Sequence, residues 1–242
     1  MAKETKYMIG AFDAAVEKLS TGDMAALGVF YSLETCLNFL FGQGSLQNRT
    51  IAIQGLGKLG AELLRLLYVQ GAKIVASDAS LDRLEQLHKQ YPKIKMVAPS
   101  LIHKQVCDVY APCALGGELN LVTVSELKTK IVCGGSNNQL ASSDLAKDLY
   151  KRGILYAPDY VVNSGGLINV VDEMEPDGYK KERVLKRVKG IAHTLADILN
   201  QAKAENLMPL VVADRLAGSI IYSHTLKKIN GQAQNYGTAA AQ

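Results

Sequence analysis

Six residues, Gly55-Leu56-Gly57-Lys58-Leu59-Gly60, carry the sharpest chemical signal in the chain. They follow the β-branched run Thr50-Ile-Ala-Ile-Gln54 and open a segment in which Leu59, Leu63, Leu66, Leu67 and Val69 recur at helical spacing up to Gly71. Glycine allows a tight turn, close approach of backbone to a pyrophosphate, and packing of helix against strand. The helix N-terminus adds amide donors and positive dipole. A second Val/Ile run ends in Ser77-Asp78, and an acid about 20 residues beyond such a loop reaches the ribose diol of a dinucleotide. Asp78 would accept hydrogen bonds from the diol and repel a 2′-phosphate, favouring NAD(H) over NADP(H). A structural glycine turn of another doubly wound fold, with Asp78 merely flanking a helix, is the alternative.

Three more polar or glycine-rich loops each follow an apolar run: Ala111-Pro-Cys-Ala-Leu-Gly-Gly117, Gly134-Gly-Ser-Asn-Asn-Gln139 and Pro158-Asp-Tyr-Val-Val-Asn-Ser-Gly-Gly166. In an open parallel sheet the carboxyl ends of the strands form the ligand crevice, so these loops are expected to converge there. Asparagines such as Asn138 and Asn163 donate and accept at once, which suits a ribose hydroxyl or a carboxamide. Turn chemistry alone also accounts for Asn and Gly at such places.

The elements that must position these groups alternate. Strands are expected near 50–54, 73–77, 95–98, 108–111, 130–133 and 154–157, each short, rich in Val and Ile and followed by a helix-like segment. Ser80 can cap a helix burying Leu81, Leu84, Leu87 and Tyr91 and ended by Pro92. Ser143 and Gly153 bracket another. This is an α/β fold, a Rossmann-type doubly wound and mostly parallel sheet with flanking N- and C-terminal helices. Residues 1–242 form a single domain: a helical segment at 8–42, the core at 48–175, helices at 178–229 and a polar tail at 230–242. Val184, Leu185, Val188, Ile191, Leu195, Ile198 and Leu199 line one long helix whose Lys/Arg outer face is a solvated surface. A last helix can begin at Pro209.

Composition excludes several classes. With 48% apolar and 21% charged residues the chain can bury a full core. A net charge of +4 without basic runs interleaved with aromatics gives no nucleic-acid surface. The apolar stretch Ala25 to Phe41 is broken by Ser32, Glu34, Thr35 and Asn38, and the charged N-terminus lacks the pattern of a leader, so neither a membrane span nor a signal peptide is expected. Cys36, Cys107, Cys113 and Cys133 lie far apart with no zinc spacing. They read as buried thiols of a cytoplasmic protein, with no metal. The four histidines, at 88, 103, 193 and 224, fall in helix patterns, a loop and the tail, and none is marked as a catalyst. Lys18 and Asp23, before the N-terminal helix, could reach the crevice mouth.

Taken together, the Ala111–Gly117 loop, Asn138-Gln139-Leu140 and the run from Tyr156 to Glu173 resemble the cofactor-binding domain of the glutamate, leucine, phenylalanine and valine dehydrogenase family, most of all its leucine branch. The resemblance begins near Glu4-Thr-Lys-Tyr and extends to Val212-Ala-Asp-Arg-Leu-Ala217. It implies NAD as cofactor, with Gly55, Gly57, Lys58, Leu59, Gly60 and Asp78 at the adenosine half. Ala111, Pro112, Cys113, Asn138 and Asn163 would lie by the nicotinamide ribose and ring. It also implies a catalytic lysine and aspartate in a domain preceding Glu4. No Gly-Gly-Lys occurs in this sequence, and Ala25 stands where the family has a threonine contacting the carboxamide.

The expected function is therefore that of a truncated, repurposed amino-acid-dehydrogenase-like protein. It would transfer hydride to or from an imine, keto acid or related amino-acid-derived compound. The alternative is a non-catalytic NAD-binding subunit or regulator. The N-terminal helix carries Phe30, Tyr31, Leu33, Leu37, Phe39, Leu40 and Phe41 in nearly every direction, and together with residues 209–229 would leave apolar surface uncovered. A homodimer, or a complex with an unidentified protein, is expected.

Overall fold

A computed structural model describes residues 18–223. The expectations for Glu4 to Tyr7, for 8–17, for His224 and for the tail at 230–242 fall outside the described residues. Six strands, β1 (Thr50–Gln54), β2 (Lys73–Ser77), β3 (Lys95–Met96), β4 (Val109–Pro112), β5 (Ile131–Val132) and β6 (Leu155–Tyr156), form one sheet in the order 3-2-1-4-5-6. All pairs are parallel, with Thr50 opposite Lys73 and Ile51 opposite Val109. The order reverses between β1 and β4, which opens a crevice beyond their carboxyl ends.

Each expected strand is present, but β3, β5 and β6 keep only two residues apiece. At β3 the chain leaves the sheet edge for a 3₁₀ turn, Pro99–Lys104, because proline starts a helical turn readily and cannot donate to a ladder. Strand side chains alternate between two faces, and both faces are buried. Ile51, Ile53, Ile74, Val109 and Ile131 join the core under α1 (Thr21–Phe41), α2 (Lys58–Val69), α3 (Leu81–Gln90) and α8 (Lys181–Glu205). Ala52, Val75, Tyr110 and Val132 face α4 (Leu121–Glu126) and α5 (Leu145–Lys151). Two short helices, α6 (Asp159–Val162) and α7 (Gly165–Val171), follow β6, and residues 209–223 are helical from Pro209 onward.

Several helix faces differ from expectation. Val69 and Leu81 are exposed, because each stands at a helix end turned to solvent. Leu185 of α8 is also exposed, and the basic side of that helix is partly engaged: Arg183 and Arg187 both bind the fully buried Asp172. The largest difference concerns α1. By length and apolar character it suffices to cross a membrane, even with Ser32, Glu34, Thr35 and Asn38 along it. The hydroxyls of Ser32 and Thr35 donate to the carbonyls of Gly28 and Tyr31 within the helix, which removes the cost of burying them. In the fold α1 is a core helix: α2, α7 and α8 pack around it, and Phe30, Leu33 and Leu37 are buried. The apolar surface expected along Ala25 to Phe41 is thus covered by the chain itself, with only Leu40 and Phe41 exposed at the end.

Candidate dinucleotide-binding site

Glycine at three positions shapes the turn from β1 into α2. Gly55 has φ +89°, a left-handed conformation, and a Cβ there would lie 2.7 Å from that of Ala114. A Cβ on Gly60 would lie 1.9 Å from the Gly55 carbonyl oxygen, so α2 can close on the loop only without one. Gly57 is different: an added Cβ would meet nothing within 4 Å. It caps α2 with no side-chain hydrogen bond. The first-turn amides of α2 thus have no side-chain cap at the positive end of the helix, and the exposed Lys58 stands among them. This cradle fits a pyrophosphate: nothing in the protein needs the space, and the donors it exposes suit an anion.

Asp78 sits immediately behind the cradle and is buried. Its Oδ2 accepts the Leu56 amide at 2.6 Å and its Oδ1 the Ser80 amide at 2.8 Å, and Arg83 Nη1 lies 3.1 and 3.2 Å from the two oxygens. Burial alone would push this carboxyl up, but the two amides and the guanidinium outweigh it and hold the group below the usual carboxylate range. Asp78 is ionised, and it ties the glycine loop to the start of α3. Arg83 was not foreseen as part of the site. Its signal in the sequence is an arginine five residues after the acid, in the first turn of the next helix.

The other loops interlock around the same point. Pro112 carbonyl accepts the amide and the hydroxyl of Ser136, and the Cys113 amide donates to the Gln54 carbonyl at 2.7 Å. A Cβ on Gly135 would lie 2.4 Å from the Leu59 side chain, which wedges the Gly134–Gln139 loop against α2. Asn138 has φ +51° and its carbonyl accepts the Gly117 amide. Asn163 donates to Asn137 Oδ1 at 2.7 Å and to the Gly135 carbonyl at 3.3 Å. Asp159, also unforeseen, is buried and accepts the Gln139 amide at 2.9 Å, joining the Gly134–Gln139 loop to the segment after β6. The structure thus brings together Gly55, Gly57, Lys58, Leu59, Gly60, Cys113, Asn138 and Asn163, with Asp78 behind them. Ala111 differs from these: it is fully buried in β4 with its side chain in the core, two residues before Cys113.

Catalytic chemistry is less well provided. Desolvation pushes the Cys113 thiol up to about 12, against the partial relief of a Gly135 amide hydrogen bond, so it is protonated at neutral pH and no nucleophile. His103 pairs with Glu126 at 2.7 Å, His88 lies on α3 and His193 is exposed on α8. None of these three belongs to the converging loops. Lys18 forms an ion pair with Glu173 at 3.2 Å. Ala25 is buried beneath α7, whose Gly165 lies so close to α1 that a Cβ would be 2.0 Å from the Met24 carbonyl oxygen.

Comparison with known proteins agrees with the geometry. A sequence model of the glutamate/leucine/phenylalanine/valine dehydrogenases matches residues 18–81 and 76–223. Phenylalanine dehydrogenase of Thermoactinomyces intermedius is 41% identical over 216 residues, covering 89% of this chain and 58% of that protein. Leucine dehydrogenase of Bacillus subtilis is 36% identical over 214 residues, covering 88% and 58%. These identities do not single out the leucine branch. L-tryptophan dehydrogenase from Nostoc punctiforme superposes with a TM-score of 0.83 at 34% identity, over 92% of this chain and 63% of that one. The chain spans less than two thirds of the length of each of these relatives. With the dinucleotide-type crevice of its sheet and a family match along residues 18–223, the chain belongs to the glutamate/leucine/phenylalanine/valine dehydrogenase family.

Proposed function

We propose that this chain is the NAD(H)-holding part of an amino-acid-dehydrogenase-type oxidoreductase, acting on an imine, keto acid or related amino-acid-derived compound. The observation that carries the proposal is the open cradle at Gly57, with donors on one side and the ionised Asp78 behind it. The first-turn amides of α2 and Lys58 would hold the pyrophosphate, and the adenosine ribose would lie against the Asp78–Arg83 pair. Cys113, Asn138 and Asn163 would border the nicotinamide ribose and ring, with Pro112 holding the neighbouring loop through its carbonyl. When bound, the cofactor supplies hydride exchange at its nicotinamide ring. The chain's own residues bind and orient it, while the base that activates water and the cation that polarises a carbonyl must come from groups other than those at the described crevice.

That last point favours a second reading, a non-catalytic NAD-binding subunit or regulator. Both readings include a homodimer or a complex with another protein, and a reducing, cytoplasmic setting consistent with the four free cysteines. The test uses the absence of tryptophan: NADH fluorescence can be followed without that protein signal. Saturable enhancement on titration is expected. NADH consumption in the presence of keto acids with ammonia, or of cyclic imines, supports the oxidoreductase. Binding without consumption supports the second reading, and absence of saturable binding overturns both.

A further inference from the structure

Asp78 has no acceptor position to spare. A carboxylate offers about four lone-pair sites, and here they face the Leu56 amide, the Ser80 amide and the Arg83 guanidinium, which contacts both oxygens. A ribose diol can reach this carboxylate only where the arginine now sits. Arg83 in turn uses one of its three nitrogens, Nη1. Its Nε and Nη2 have no protein partner among the described residues, and the residue is exposed to the solvent outside the loop. The group that meets the 2′ position of the ribose is therefore a cation backed by a buried anion. Deepening the dinucleotide reading above, on which it rests, we infer that Arg83 is the specificity residue of this site and seats a 2′-phosphate, so that the chain accepts NADP(H) as well as NAD(H).

The physical basis is a competition. A bare Asp78 repels a 2′-phosphate, but pairing with Arg83 cancels most of that field. The two unused nitrogens then offer charge-assisted hydrogen bonds to the phosphate oxygens. The diol of NAD(H) gains less from Arg83, since displacing the guanidinium costs the ion pair that Asp78 already has.

Fluorescence titration with NADH and NADPH, and competition by ADP against 2′,5′-ADP, isolate the 2′ position. In the wild type NADPH is expected to bind within about tenfold of NADH. Arg83→Ala should weaken NADPH and 2′,5′-ADP by about tenfold or more, equivalent to about 1.4 kcal/mol, while NADH holds or tightens because the diol gains Asp78. Arg83→Lys should restore part of the NADPH affinity, since the charge returns without the planar fork. Arg83 is half exposed and off the core, and retained NADH binding by the Ala variant certifies the fold. Equal losses for both dinucleotides, or a wild type that excludes NADPH more than about a hundredfold, would overturn the assignment while leaving dinucleotide binding intact. If neither dinucleotide binds the wild type, the site reading falls and this inference falls with it.

Discussion

At the scale of single residues, the three glycines of the loop are alike in sequence and different in duty. Gly55 and Gly60 are required by the protein: one by its left-handed backbone and the contact with Ala114, the other by the Gly55 carbonyl. Gly57 is required by nothing the protein itself contains. Replacement by threonine, an acceptable helix N-cap, should keep stability within about 0.5 kcal/mol while placing a side chain in the cradle. NADH affinity should fall by about tenfold or more. Gly60→Ala should instead lower stability by about 1–3 kcal/mol through overpacking, read as a lower melting temperature. A Gly57→Thr protein that binds NADH like the wild type would mean that the pyrophosphate lies elsewhere. The motif was legible because its spacing is local; which of its glycines the fold itself requires was not, because that depends on Ala114 and Cys113 from a distant loop.

At the scale of elements, the joint between α7 and α8 shows charge at work in a buried place. Asp172, fully buried, accepts from Arg183 Nε at 2.6 Å, from Arg183 Nη2 at 2.9 Å and from the Lys180 amide at 2.8 Å, with Arg187 at 3.2 Å. The Arg183 hydrogen bonds, with the Lys180 amide, overcome desolvation and hold its carboxyl below the usual value of 3.8. A carboxyl depressed in the folded state stabilises above its unfolded pKa, and that stabilisation is lost as the pH falls through the folded one. Asp172→Asn should thus melt well below the wild type at neutral pH, with the gap closing as the pH drops below about 4. Thermal denaturation across pH 7 to 2.5 checks this, and a gap independent of pH would assign the loss to packing. The periodicity of α8 was readable from its apolar residues. Its basic face read as solvated because helical spacing alone does not reveal that Asp172 lies under it.

At the scale of the whole molecule, the question is assembly. The apolar residues of α1 are mostly covered within the chain, and exposed apolar residues lie elsewhere. Leu216, Ile220 and Tyr222 on the helix from Pro209 are exposed, the first two one helical turn apart. A symmetric pairing through that helix would bury them and leave the Gly57 cradle free. Sedimentation at micromolar concentration should report at least twice the chain mass of 26.1 kDa. Substituting Leu216 and Ile220 with lysine should return the monomer. A wild type that sediments as a monomer would remove the homodimer.

By itself the sequence determined the alternation of strands and helices, the parallel sheet, the glycine loop and the acid after β2. Each of these is written in residues near one another in the chain: β-branched runs, helical spacing, caps and turn glycines. Tertiary structure decided the rest. It made α1 a core helix, although its apolar residues point in nearly every direction, because three other helices surround it. It buried Ala111 in the sheet and joined Asn163 to the Gly134–Gln139 loop. It also set Arg83 across both oxygens of Asp78, so that an acid readable as a diol acceptor became half of an ion pair. The reason is the same throughout: local spacing sets which way a side chain leaves its own element, while its charge and burial depend on what other elements bring against it.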